Sequence, residues 1–205
     1  MLVNEFGKFI ALTRYENLPT GVVETVKLRV LDLLAAGLAG CHMGCHKQLL
    51  PILGGAGQAC AWGLGKKLAL RDATLLNSFL SHASGLADGS RFTGGHPASV
   101  VVPSAVALAE TQRATGRDLI AAVAAGYEVF LRLGRAIYPP TVVRGFQSTS
   151  VIGAAASASA CASLLRFSPE KAKNALAIAC TLGVGLKEAT KSSGSRVMQV
   201  ARSCE

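Results

Sequence analysis

The stretch VIGAAASASACASLL, residues 151–165, decides the fold class of this 205-residue chain. It is the longest run of small and apolar residues in the sequence, and Ser157, Ser159 and Ser163 interrupt it. Alanine costs the least free energy to place in a helix, and small side chains allow two helix axes to approach closely. A membrane-spanning helix needs about 20 predominantly apolar residues. The stretch therefore predicts a closely packed helix of a soluble protein that has no membrane partner.

The same bias towards small residues extends over the whole chain. Ala and Gly, with 33 and 22 residues, make up 55 of the 205 residues, whereas 5% are aromatic and 16% are charged. A disordered chain would be polar and rich in charge, and a β-sandwich would need many β-branched and aromatic strands between turns. Since we find neither a repeat nor a linker, the sequence predicts one all-α domain over residues 1–205.

Apolar residues that recur with a period near 3.6 predict where the helices lie. Thr20 is expected to cap the second helix, and Ser168 the last one, with Pro169 at its first position. The glycine-rich residues 45–70 predict a loop with a short strand near residues 59–64. The predicted helices cover residues 2–14, 20–40, 72–87, 99–115, 117–137, 151–165 and 169–182.

Two polar loops interrupt this helical pattern, at residues 88–97 and 144–150, and we interpret both as active-site loops. Loops held between rigid helices often carry binding and catalytic residues. His96 lies in the first loop, and imidazole titrates near neutral pH, which suits general acid–base chemistry. Spacing alone leaves a structural role for His96 open. His82 falls on a helix that we expect to be buried, which favours a structural role.

The segment CHMGCH, residues 41–46, carries metal-ligand side chains at close spacing. A structural zinc site needs four ligands, usually from two pairs, and the sequence has no second Cys/His pair. We therefore interpret the segment as a loop that ends a helix and predict no metal.

The net charge of +9 at pH 7 raises the question of an anionic partner. A nucleic-acid-binding surface would concentrate the basic residues in a stripe, but here they are spread, apart from Lys66-Lys67 and the polar tail at residues 187–202. The charge fits a solvated surface or a site for a small anion, and no nucleic acid partner is predicted. The N-terminus lacks the apolar segment of a signal peptide, so we expect a cytoplasmic protein.

Several short motifs occur in a fixed order along nearly the whole chain. The first group surrounds His96 and comprises His82-Ala83, Leu86, Asp88-Gly89, Arg91-Phe92, Gly95-His96-Pro97, Val100, Pro103 and Ala107-Leu108-Ala109-Glu110. The others are Leu18-Pro19, Leu31–Gly40, Thr115–Ile120, Gly126–Val129, Gly145-Phe146, Gly153–Ala156 and Lys171–Ala179. This order resembles the MmgE/PrpD family, which includes 2-methylcitrate dehydratase, cis-aconitate decarboxylase and iminodisuccinate epimerase.

The resemblance implies a fold, a chemistry and an assembly. The fold is the large helical domain of the family, whose members carry a smaller α/β domain after this region, so the chain is expected to be an N-terminal, truncated part of such a protein. The chemistry is proton abstraction next to a carboxylate, with loss of water or carbon dioxide from a small polycarboxylate and without metal or organic cofactor. The assembly is a homodimer.

Carried over residue by residue, the resemblance implies two catalytic residues, His96 and Asp88. It implies four substrate-binding residues: Ser90, Arg91, Gln147 and Arg196.

The sequence also departs from the family pattern. Gly85 and Ala87 stand where the family shows acids, and Gln147 stands where many members have a histidine. Met198 and Ala201 fall at the positions of a lysine and a histidine, and Arg196 is the nearest cation, which would substitute only in a shifted register. An imidazole that is replaced by an amide or a methyl group cannot transfer a proton. These departures predict a lyase reaction that is impaired or lost. The alternative is a non-catalytic relative that retains only a helical dimerisation scaffold.

Overall fold

The computed structural model describes residues 1–205 and confirms the predicted all-α fold. Two three-residue strands, β1 (Ala59–Ala61) and β2 (Lys66–Leu68), form a small antiparallel hairpin in which Cys60 pairs with Lys67. No helix combines the length and the apolar character that a bilayer crossing requires. The helices are α1 (Leu2–Leu12), α2 (Thr20–His42), α3 (His46–Leu49), α4 (Leu70–Ala83), α5 (Ala98–Gln112), α6 (Gly116–Ile137), α7 (Pro140–Val143), α8 (Ser148–Leu164), α9 (Pro169–Cys180) and α10 (Ser193–Arg202).

The alanine-rich helix α8 lies at the centre and packs against α5, α6 and α9. A side chain at Gly126 of α6 would place its Cβ 3.0 Å from the carbonyl oxygen of Ala156 and 3.0 Å from the Cβ of Ala160 on α8. Such a contact is tolerated only without a side chain, since packed interiors leave little free space. The small residues therefore set the distance between α6 and α8, as their abundance predicts.

Two of the predicted helix starts test the capping rules. The Ser168 hydroxyl accepts a hydrogen bond from the Lys171 amide, with Pro169 at the first position of α9, as predicted. The prediction for Thr20 was wrong, because Thr20 is already inside α2. The carbonyl of Pro19 accepts the first amide bonds of that helix, from Val22 and Val23, so the cap falls one residue earlier.

Several helix ends also differ from the sequence-based expectation. Helix α4 ends at Ala83 instead of residue 87, and Gly85 follows it with a φ of +73°. In the polar tail, where the sequence pattern predicts no helix, residues 193–202 form α10, which packs against α4. Its apolar residues Val197, Val200 and Ala201 recur at helical spacing and are buried.

Helix α5 contains a proline that fixes its position against α4. Pro103 has no amide hydrogen, so the carbonyl of Ser99 one turn earlier lacks its usual helical donor. The hydroxyl of Ser78 on α4 donates to this carbonyl at 2.6 Å. The hydroxyl of Ser99 lies 3.2 Å from Nδ1 of His82, one turn further along α4. Ser99 thus joins α4 and α5 through two hydrogen bonds.

Candidate functional site

The loop at residues 88–97 joins α4 to α5 and has a tightly fixed backbone. The Ser90 amide donates to the Gly95 carbonyl at 2.8 Å, and the Gly94 amide donates to the Ser90 carbonyl at 2.9 Å. Gly94 has a φ of +64°, and a Cβ there would collide with the ring of Tyr138. Glycine is therefore required at this position, and the loop holds its side chains in defined directions.

His96 at the end of this loop is held at its backbone and at one ring nitrogen. Its amide donates to Oγ1 of Thr149 at 3.1 Å, and its Nδ1 lies 2.6 Å from the carbonyl oxygen of Asp88. A carbonyl only accepts, so Nδ1 carries the hydrogen. In the neutral ring the lone pair is consequently on Nε2, which makes Nε2 the atom that can take up a proton.

A second imidazole lies against the first. The rings of His82 and His96 meet edge to face, with centroids 5.1 Å apart and planes at 76°. His82 is buried, and this burial, with smaller effects from the charges of His96 and Arg196, lowers its pKa from 6.5 to about 4. His82 is therefore neutral at physiological pH.

The two histidines line a small cavity of about 190 Å³. Lys187 and Arg196 also line it, and no carboxylate side chain does, so its permanent charge is positive. Lys187 is held there because its amide donates to the Gly145 carbonyl at 2.7 Å. The full lining is His82, Gly94, His96, Val142, Gln147, Ser148, Lys187, Thr190 and Arg196.

The first turn of α8 forms one wall of this cavity. The Ser148 hydroxyl is buried and has no hydrogen-bond partner. The amides of Ser148 and Thr149 begin the helix, where no helical acceptor exists, and no other acceptor pairs with them. The Gln147 side chain accepts the Ser150 amide at 2.7 Å and so caps the helix. Unpaired donors at the positive end of a helix favour a bound anion.

Asp88, Ser90 and Arg91 lie on the other side of the loop. They line a groove of about 930 Å³ beside α2 and α6. The Asp88 carboxylate accepts the Ala98 amide and the Tyr127 hydroxyl, each at 3.0 Å, so both of its oxygens are bonded. Burial raises the pKa of Asp88. Its carboxylate fixes the start of α5, and its hydrogen bond to His96 is made by the backbone carbonyl.

The structure thus divides the six predicted site residues into two groups. His96, Gln147 and Arg196 share the small cavity, whereas Asp88, Ser90 and Arg91 line the groove. His82 and Lys187 belong to the cavity but were not among the predicted residues. For His82 a signal existed, since it begins the motif that contains His96. Lys187 had no signal beyond its place in a basic tail.

The CHMGCH segment contains one thiol–imidazole contact. Helix α2 ends at His42 inside the segment. Sγ of Cys41 lies 3.8 Å from Nδ1 of His46. No group of three or more His, Cys, Asp or Glu side chains is arranged to hold a metal ion.

A helical domain whose cationic cavity combines two imidazoles with an open helix N-terminus has the features of a small-anion site. The chain matches the MmgE/PrpD N-terminal domain over residues 4–205 and belongs to that family.

Two fungal proteins illustrate this relationship. The chain is 30% identical over 196 residues to the cis-aconitate decarboxylase-like protein oryM of Aspergillus oryzae. The aligned region covers 90% of this chain and 41% of that protein. The chain is 31% identical over 183 residues to cis-aconitate decarboxylase of Aspergillus terreus. Here the aligned region covers 85% of this chain and 37% of that protein. The chain spans about two fifths of the length of these relatives.

Proposed function

We propose that this domain supplies the substrate-binding cavity and the proton-transfer histidine of a cofactor-independent lyase that acts on a small polycarboxylate such as cis-aconitate. One observation carries the proposal. The buried Ser148 hydroxyl has no partner and lines a cavity that also contains Lys187, Arg196 and two imidazoles. A buried unpaired donor costs free energy unless a ligand or water fills the gap. The names of the fungal relatives favour a tricarboxylate as that ligand.

Each group of the cavity has a role in this proposal. Lys187, Arg196 and the first turn of α8 hold the carboxylates, since positive charge and free donors favour them. His96 transfers the proton at Nε2. In a decarboxylation, the bond to the departing carboxylate breaks, carbon dioxide leaves, and the electron pair is protonated at carbon by His96 in its protonated form. In a dehydration, neutral His96 removes the proton next to a carboxylate, the electron pair forms the carbon–carbon double bond, and the carbon–oxygen bond breaks. The protonated His96 then gives its proton to the leaving oxygen, so that water departs.

A second candidate function is a helical scaffold without catalysis. It is favoured by the Asp88 carboxylate, whose two oxygens are both engaged in holding the loop. It is also favoured by Gly85 and Ala87, which leave the same loop without further acids. On this hypothesis the cavity still binds an anion but performs no proton transfer.

Proton NMR with cis-aconitate and with 2-methylcitrate distinguishes the two functions. The lyase hypothesis expects turnover that His96→Ala abolishes without loss of folding. Tricarboxylate binding without turnover would support the scaffold. A folded protein that neither binds nor converts these substrates would overturn the proposed site.

A matched pair of arginine variants tests whether the substrate binds in the small cavity or in the groove. Arg196→Gln removes a cation from the cavity and is expected to weaken tricarboxylate binding roughly tenfold. Arg91→Gln removes a cation from the groove and is expected to change it less than about twofold. NMR titration measures both. The reverse order would move the substrate site to the groove.

Exposed apolar side chains on α2 support the homodimer that the sequence predicts. Leu28, Leu31 and Leu38 are 66%, 64% and 51% exposed. Large apolar side chains that are exposed along one helix favour association. Size-exclusion chromatography with light scattering would contradict the dimer by finding a monodisperse monomer. A cytoplasmic location stays a prediction.

A further inference from the structure

A second polar cavity, of about 140 Å³, lies where the segment after α1 meets the start of α6 and the end of α8. It shares no lining residue with the His82–His96 cavity. Three arginines line it: Arg14, Arg117 and Arg166. We call it the arginine cavity.

The arginines differ in what they bind. The Arg117 guanidinium lies over the ring of Tyr15, 5.2 Å from its centroid, and forms no ion pair. Arg14 donates only to the neighbouring Thr13 carbonyl, at 2.8 Å. Arg166 pairs with Asp118 at 2.9 Å. Two of the three guanidinium groups therefore have no counter-charge.

Two carboxylates also face the arginine cavity. Asp118 accepts the Thr115 hydroxyl at 2.7 Å and pairs with Arg166, and these bonds, that of Thr115 first, lower the pKa of Asp118. Its charge is thus engaged in the cap of α6 and in one ion pair. Glu16 is exposed and forms no ion pair. Arg14 and Arg117, which have no ion pair, outweigh this one free carboxylate.

An unpaired hydroxyl on α8 completes the arginine cavity. Ser163 is 4% exposed, and its Oγ has no hydrogen-bond partner. A serine inside a helix usually bonds a carbonyl of the preceding turn. Ser163 instead lines the arginine cavity with its donor unused. This donor is independent of the three cations and also indicates a missing acceptor.

We propose that the arginine cavity binds a phosphate-type oxyanion, either free phosphate or the phosphoryl end of a small metabolite, through Arg14, Arg117 and Ser163. The donors come from three different segments of the chain, which suits a tetrahedral anion better than a planar carboxylate. Guanidinium forks match phosphate oxygens, and a small cavity excludes larger groups. The bound anion would join the segment after α1 to α6 and α8 and stabilise the folded state.

Thermal unfolding in inorganic phosphate, compared with chloride at equal ionic strength, tests this site. All measurements use Arg196→Gln as background, so that phosphate in the His82–His96 cavity contributes little. Phosphate at about ten times its Kd is expected to raise the melting temperature by about 3 °C. Malonate, with two planar carboxylates, is expected to raise it far less. An equal rise with malonate, or no rise with phosphate, would overturn the proposal.

Two variants and a matched control locate the effect. Arg117→Gln and Ser163→Ala should each reduce the phosphate-dependent rise by at least half, whereas Arg135→Gln, which removes an unpaired exposed arginine further along α6, should not. Ser163→Ala removes an unpaired buried hydroxyl, so its melting temperature in chloride should equal or exceed that of the parent. Retention of the full rise in both site variants would refute the site.

A final comparison identifies the source of the anion. Glycerol 3-phosphate in place of inorganic phosphate should give an equal or larger rise if the site takes a phosphoryl end. A smaller rise would assign it to free phosphate. The arginine cavity shares no lining residue with the His82–His96 cavity, so a failed phosphate test would leave the proposed lyase function unaffected.

Discussion

The small cavity and the large groove on the two sides of the loop at residues 88–97 differ in volume and in chemistry. The groove holds about 930 Å³, and its half-buried acid, Asp88, has both oxygens paired. The cavity holds about 190 Å³ and contains unpaired donors, with the Ser148 hydroxyl foremost. Arg29 and Arg91 also line the groove without an ion pair, but both are exposed, so water already solvates them. A buried unpaired donor, by contrast, costs free energy until a ligand or water fills the gap. We therefore base the proposed anion site on buried unpaired donors rather than on volume.

The largest expected effect is a loss of stability that differs between the cavity side and the groove side of the loop at residues 88–97. Phe130 is fully buried beneath the loop, where a Cβ on Gly95 would lie 2.8 Å from its ring, whereas Phe92 lines the groove and is 79% exposed. We expect Phe130→Ala to lower the free energy of unfolding by about 3–5 kcal/mol and Phe92→Ala by less than about 0.5 kcal/mol. Urea denaturation of the matched pair measures both values. Equal losses would mean that the groove side of the loop is packed as tightly as its inner side.

The next largest effect is a pH dependence of the free energy of unfolding, which arises from His82 in the small cavity. The pKa of His82 falls from 6.5 to about 4 on folding, so the unfolded chain binds more protons between these values. The contribution of His82 is fully present above pH 6.5 and is lost as the pH falls towards 4, by about 3 kcal/mol in all. Asp88, whose pKa is raised, contributes in the opposite sense as the pH falls.

Urea unfolding between pH about 7.5 and about 5 measures this dependence. Because Asp88 is unchanged in His82→Gln, the difference in slope between this variant and the parent isolates His82. The variant is expected to lose less stability as the pH falls. Identical slopes would show that the imidazole titrates equally in both states.

The smallest effect concerns Asp88, which contributes to both sides of the loop. Asp88→Ala leaves the Ala98 amide and the Tyr127 hydroxyl without an acceptor, which is expected to cost about 2 kcal/mol of unfolding free energy. Asp88→Asn keeps an acceptor for Ala98 and should restore more than half of that loss.

The effect of Asp88 on the cavity is expected to be indirect. Tricarboxylate affinity should fall in Asp88→Ala, because the Asp88 carbonyl that orients His96 becomes less fixed, and it should recover in Asp88→Asn. NMR titration checks both variants. A loss that persists in Asp88→Asn would indicate that the carboxylate itself contacts the ligand.

Local sequence rules account for most of the helices and for some of their ends. Ser168 followed by Pro169 marks the start of α9 because both residues act within one turn. Thr20 failed as a cap because it follows Pro19, whose carbonyl already accepts the first helical amides. Helix α10 was missed because its polar residues dominate the composition, although Val197, Val200 and Ala201 recur at helical spacing.

The division of the site could not be predicted from local rules. Arg91 and His96 are five positions apart in one loop, but Arg91 lines the groove and His96 lines the small cavity. They are separated because the loop folds back on itself where Ser90 pairs with Gly95. Lys187 reaches the cavity through backbone pairing with Gly145, a contact between distant parts of the chain. Such placements depend on the tertiary fold, which residue spacing does not determine.

The proline within α5 has a mechanical consequence for this chain. Pro103 leaves the Ser99 carbonyl free to accept from Ser78, and the Ser99 hydroxyl contacts His82. Ser99 therefore fixes α5 against α4 at two points. A small shift of α5 along α4 would strain both bonds, and as long as the Ser99–His82 bond holds, it would pull the buried imidazole along. The distance between the rings of His82 and His96 thus depends on the register of α5 against α4. A distortion far from the cavity would therefore reach the cavity as a displacement of the His82 ring.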